Sequence, residues 1–288
     1  MHYNEVMLPP IFVTGTPRSG KSVIANLINR EEQFQLIPEP LMIWDMDLGS
    51  RDDDCRGAEE VTTLLRERIT NACSALLDHQ QNVYVDDLSY HALRIPFLHA
   101  LMPEAKLIHV VRDPELAIPE MLYGWTYRDT VGKAFSRRRK SIRLQGLPRM
   151  ALRFARNYIS SRLQGSRKTW GPRVPGLHHF ISSHSPAEVA AFQWKCMVEI
   201  AMDDLAAIPS ENWLQVNFDS LLLDPHAEAL RIGDFCEVAD PKMFAKDATN
   251  FIDPNFIFEK QVYPTDEEWS AINPMIESVR DRMTTNLK

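Results

Sequence analysis

The chain has no cysteine pattern: Cys55, Cys73, Cys196 and Cys236 stand far apart, with no CxxC pair among them. Such scatter argues against a zinc site and against a disulfide framework, and reduced thiols in a cytoplasmic protein are expected. Nowhere do 18 or more apolar residues run together, which excludes a hydrophobic membrane-spanning helix. The opening MHYNEVMLPP lacks a basic stretch leading into an apolar one, so no secretory leader is expected. Acids are missing from residues 130 to 187, where 13 Lys and Arg stand without one Asp or Glu. All 39 acids therefore lie elsewhere, and the formal net charge of −7 conceals two regions of opposite sign. A block of this kind is either a solvated helical face or a surface for an anionic ligand, an acidic acceptor or an anionic membrane.

What is present is the balance of an ordinary globular protein, 288 residues with 44% hydrophobic and 25% charged. Disorder and fibrous classes are excluded, and a chain of this length can bury a large core. Short apolar runs read as strands at 11–15 (IFVTG), 82–87 (NVYVDD), 106–113 (KLIHVVRD) and 213–218 (WLQVNF). Helical periodicity fills 58–79, 90–101, 186–207, 224–236 and 266–286, with further helices around 130–163. Strands alternating with helices imply an α/β fold with a central parallel sheet. One domain over residues 1–288 is expected, with a basic helical and loop insertion at about 128–185 lying over an acceptor site.

Gly15-Thr16-Pro17-Arg18-Ser19-Gly20-Lys21-Ser22 fits G-x-x-x-x-G-K-[ST] between a strand and a helix, the context that gives the motif meaning. Glycines let backbone N–H groups close around phosphate oxygens, the helix N-terminus adds its positive end, and Lys21 adds a point charge. One chemistry open to such a loop is a kinase reaction, with ATP and magnesium held by Lys21, Ser22 and an aspartate at a strand end, Asp86.

The Pro-Arg-Ser-Gly inside the loop resembles the 5′-phosphosulfate loop of sulfotransferases that use 3′-phosphoadenosine 5′-phosphosulfate (PAPS). Later blocks are similar to bacterial members in the expected order over about residues 11–238. They are Arg94-Ile95-Pro96-Phe97-Leu98, Met102 to Ile108, Val111-Arg112-Asp113-Pro114, Trp170-Gly171-Pro172-Arg173, Phe192-Gln193-Trp194-Lys195, and Val216 to Leu221 with Asp224-Pro225. The resemblance implies a P-loop-like three-layer fold and in-line transfer of a sulfuryl group to a hydroxyl, with PAPS as donor, PAP as product and no metal. It implies that Thr16, Pro17, Arg18, Ser19, Gly20, Lys21 and Ser22 cradle the 5′ end, with Arg18 also stabilising the leaving phosphate. Glu39 takes the position of the general base, and Arg112 that of the 3′-phosphate ligand, where a guanidinium fork suits the oxygens. Asp86, Asp87 and His91 are second choices for the base.

The pattern is also broken. Eight residues after that arginine the family usually carries a phosphate-binding serine, and this chain has Glu120 at the 3′-phosphate site. Asp87 stands where members often have lysine, Lys21 where many have threonine, and the C-terminal basic, glycine-containing phosphate loop of the animal enzymes is not recognisable. These departures leave open a P-loop kinase or a degenerate nucleotide-binding protein. Trp125, Tyr127, Trp170, His178, His179 and Phe180 cluster in or beside the basic segment. They suit a sugar, a phenol or an anionic amphiphile, and equally a lid core. The expected partner is a hydroxyl-bearing small molecule, sugar or lipid, possible peripheral membrane contact included, and no nucleic acid.

Overall fold

A computed structural model of the chain describes residues 8–37, 40–78, 83–127, 169–256 and 260–285. The proposed base Glu39 and most of the basic insertion, 128–168, lie outside the described residues. Five strands form one parallel sheet: β1 (Leu8–Gly15), β2 (Phe34–Leu36), β3 (Val83–Asp86), β4 (Lys106–Val111) and β5 (Trp213–Asn217). Their order is β2-β3-β1-β4-β5, so β1 is central and the chain winds outward from it in both directions. That reversal point, at the carboxyl ends of the strands, is where open α/β sheets leave a crevice for ligands.

Alternation along the strands separates two cores, since successive side chains point to opposite faces. Ile11 and Val13 of β1, with Val83, Val85, Ile108, Val110 and Val216, pack against α1 (Lys21–Ile28), α9 (Pro225–Cys236) and α10 (Pro241–Phe251). Phe12, Tyr84, Leu107 and Val111 face the other way, toward α4 (Ile95–Leu101), α5 (Pro114–Thr126), α7 (Pro186–Leu205) and α11 (Asp266–Thr285). The result is helix, sheet, helix in three layers, as expected. Smaller helices complete the chain: α2 (Leu41–Trp44), α3 (Thr63–Ser74), α6 (Leu177–Ile181) and α8 (Phe218–Leu223).

Several boundaries differ from the sequence reading, each for a local reason. The stretch 58–79 breaks into a 3-10 turn at Ala58–Glu60 and α3, because Thr62 in extended geometry caps the Leu65 N–H and starts a new helix. The stretch 90–101 divides into a 3-10 turn over Ser89–Leu93 and α4, with Pro96 in the first turn of the latter. Helix α5 lies outside the helical stretches the sequence periodicity gives, although Asp113 caps it through the Glu115 N–H and Pro114 opens it. Its residues are buried almost all round and Pro119 sits inside it, so it shows no amphipathic stripe. Helix α11 begins with a reciprocal cap in which Thr265 and Glu268 exchange hydrogen bonds, and it buries Ile272, Ile276, Val279 and Met283 along one face.

Candidate active site

The loop after β1 is shaped by backbone that only glycine allows. At Gly15 a methyl group would stand 2.3 Å from the Val110 carbonyl oxygen of β4, so the chain leaves the sheet pressed against its neighbour strand. At Gly20, with φ of 89°, it would stand 2.2 Å from the Phe218 ring. Arg18 adopts a left-handed φ of 69°, a local cost that non-glycine residues meet chiefly at functional turns. The turn closes through Ser19 N–H to the Thr16 carbonyl at 3.2 Å. Gly20 then starts α1 without any side-chain cap. The start of α1, with its helix dipole and Lys21, defines an anion cradle. The Ser19 hydroxyl is buried beneath it without a hydrogen-bond partner.

Arg112 follows directly on β4, beside this loop. Its Nη1 donates to the Arg18 carbonyl at 3.2 Å and to Glu120 Oε1 at 2.8 Å, and its Nε lies 3.5 Å from Asp219 Oδ1. Its guanidinium carbon stands 5.7 Å from the centre of the Phe218 ring, the same ring that floors Gly20. Arg112 is 4% exposed and Glu120 1%. Burial pushes the Glu120 carboxyl up to about 7, against the lowering influence of Arg112 and Arg18, while Asp219 adds to the rise. The structure thus brings Arg18, Ser19, Gly20, Arg112 and Glu120 into one corner of the fold.

The second-choice bases separate. Asp86 is fully buried and engaged on every side, accepting from Trp44 Nε1 at 2.6 Å, the Tyr84 hydroxyl at 3.2 Å and the Leu88 N–H at 3.0 Å, with His91 Nε2 at 2.9 Å. Asp86 and His91 serve the core, so Asp86 is not the aspartate that a metal-dependent reading requires. Asp87 instead faces the loop and accepts from the Ser22 hydroxyl at 2.6 Å. Among the described residues no three His, Cys, Asp or Glu side chains gather as a metal-holding group.

The block Trp170 to Arg173 passes over the phosphate loop. A methyl group on Gly171 would meet Gln193 Nε2 at 3.2 Å and Pro17 at 3.5 Å. Gln193, fully buried on α7, donates to the carbonyls of Trp170 (2.9 Å) and Pro172 (2.6 Å) and accepts from Trp125 Nε1 at 3.0 Å. Arg173 is anchored on Asp54 by Nη2 at 2.7 Å and by its own N–H at 2.7 Å. The blocks singled out in the sequence are therefore a brace that ties α5 and α7 to the loop. Trp125 and Trp170 belong to this brace, Phe180 stacks on Phe192 at 4.1 Å, and Tyr127 is 60% exposed. Gln193, Phe218 and Asp219 carry no signal of their roles in the sequence, because their partners are remote along the chain.

A glycine-shaped loop at the reversal point of a parallel sheet, with a buried arginine at the end of the adjacent strand, places the chain among α/β proteins of the P-loop-like class. A model of the sulfotransferase family matches residues 9–242, and the chain belongs to that family. Among solved structures, a sulfotransferase from Alicyclobacillus acidocaldarius is 10% identical, with a TM-score of 0.50 over 98% of this chain and 96% of that one. Sulfotransferase STF9 from Mycobacterium avium is 13% identical, with a TM-score of 0.51 over 95% and 76%. Mouse sulfotransferase SULT7A1, complexed with PAP, is 13% identical, with a TM-score of 0.48 over 97% and 90%. No curated protein matches the sequence significantly.

Proposed function

We propose that this chain transfers a sulfuryl group from PAPS to a hydroxyl acceptor. The observation that carries the reading is the phosphate loop, where Gly15 presses against the Val110 carbonyl, Gly20 against the Phe218 ring, and Arg18 takes a left-handed turn just ahead of α1. PAPS supplies the activated sulfuryl group; what remains for the protein is positioning and charge stabilisation. The N–H groups of α1 and Lys21 hold the 5′ end, and Arg18 neutralises charge on the departing phosphate. Arg112 takes the 3′-phosphate. Glu39 accepts the acceptor's proton as the new O–S bond forms and the S–O bond to the 5′-phosphate breaks. The basic insertion at about 128–185 belongs to the same 1–288 domain and covers the acceptor, a small molecule, sugar or lipid whose own anionic group it would attract. The four free thiols fit a reducing, cytoplasmic setting.

The test is transfer of labelled sulfate from PAPS to a panel of sugars, phenols and hydroxylated amphiphiles. Arg18→Ala should abolish transfer while the thermal melt stays cooperative. Full transfer by Arg18→Ala removes that residue from the mechanism, and donor binding without turnover on any acceptor points to a binding protein. A second reading rests on the contact of Ser22 with Asp87. A serine and an aspartate in that relation suit ATP with magnesium, Asp87 replacing Asp86 in the metal role.

A further inference from the structure

The departure at Glu120 lies inside the buried site. Two acids, Glu120 from α5 and Asp219 from α8, already face the one guanidinium of Arg112. Arg18, from the phosphate loop, is the other charged group that acts on Glu120. Adding a phosphate dianion beside two ionised carboxylates in a region of low dielectric is strongly unfavourable. Yet one oxygen of Glu120, Oε2, is buried with no hydrogen-bond partner, while Oε1 is held by Arg112. A neutral carboxyl would turn that orphan oxygen into a hydroxyl donor, the same single donor that a serine would offer.

Building on the proposed sulfuryl transfer, we propose that Glu120 receives the donor's 3′-phosphate as a neutral acid: Oε2–H donates to a phosphate oxygen, Arg112 moves its charge onto the phosphate, and binding takes up one proton. Glu120 is then a positioning residue for the 3′-phosphate and makes nucleotide binding pH-dependent. Because burial holds its carboxyl at about 7, protonation near neutrality costs little.

The experiment is calorimetric titration of the full chain with 3′,5′-adenosine bisphosphate at pH 6.0, 7.0 and 8.5, each in two buffers of different ionisation enthalpy. A group titrating at about 7 that must be protonated predicts affinity falling roughly 30-fold from pH 6 to 8.5, with net proton uptake at the upper end. Glu120→Gln keeps a neutral donor and should bind tightly with only the phosphate's own pH profile. Glu120→Ser, a second variant in case the first folds poorly, should do the same. Adenosine 5′-monophosphate, which lacks the 3′-phosphate, should show no Glu120-linked dependence. Identical pH profiles for the parent and Glu120→Gln overturn the proposal, as does tighter binding of the monophosphate than of the bisphosphate. Failure of the parent and both variants to bind the bisphosphate at any pH overturns the sulfuryl-transfer reading itself, a result distinct from the other two.

Discussion

Arg112→Ala should destabilise the fold by an amount that grows with pH, because its partner Glu120 can escape ionisation. In the parent, burial raises Glu120 from its unfolded value of 4.5 to about 7. Between these values the native state binds more protons than the unfolded one. The associated stability is thus fully present below pH 4.5 and lost as pH rises through about 7, after which it levels off. Alanine at 112 removes the largest opposing influence, so Glu120 stays protonated further up the scale. Stability then keeps falling by about 1.4 kcal/mol per pH unit above 7. At pH 6 Glu120 is mostly neutral in both proteins, and the loss is the charge-assisted hydrogen bonding of Arg112, about 2 kcal/mol. At pH 8.5 a further ~2 kcal/mol is added, worth ~3 °C in Tm for a chain of this length. Urea unfolding followed by circular dichroism at pH 6 and 8.5 measures both. An equal penalty at the two pH values, or a larger one at pH 6, refutes the reasoning.

Other perturbations read out different parts of the structure. Gly20→Ala places a methyl group 2.2 Å from the Phe218 ring at a φ of 89°, and should cost nucleotide binding more than tenfold by displacing the loop; unchanged binding would mean that the loop relaxes freely. Burial pushes His109 down to about 4, so the folded state refuses a proton that the unfolded chain accepts near 6.5. Stability should fall by about 2 kcal/mol from pH 6.5 to 5, and His109→Gln, compared by urea unfolding, should lose that slope. Glu39→Gln should cut turnover by at least a hundredfold while leaving nucleotide affinity within a factor of a few; unaltered turnover excludes Glu39 as the base.

The strands that surround the site were legible because each is an apolar run bounded by turn residues. β3, β4 and β5 fall within the expected segments, and β1 (Leu8–Gly15) begins three residues ahead of the expected 11–15. β2 is three residues long, too short to show a period. The loop announced itself through spacing, but its floor did not: Gly20 meets Phe218 only because β5 and β1 lie on either side of β4. Glu120 was visible as a misfit to a phosphate site. What no residue pattern could show is that it is buried, that Arg112 already holds it, and that its second oxygen has no partner. Likewise Asp86 and Asp87 are indistinguishable neighbours in the sequence, and the pleat of β3 decides that the first enters the core and the second reaches Ser22.

The central claim is tested most directly by calorimetric titration with 3′,5′-adenosine bisphosphate and, separately, with ATP, each with and without magnesium. The account predicts tight binding of the bisphosphate that magnesium does not alter, and weaker binding of ATP. Preference for ATP with magnesium would contradict it, and would assign Lys21, Ser22 and Asp87 to nucleoside triphosphate chemistry on a sulfotransferase fold.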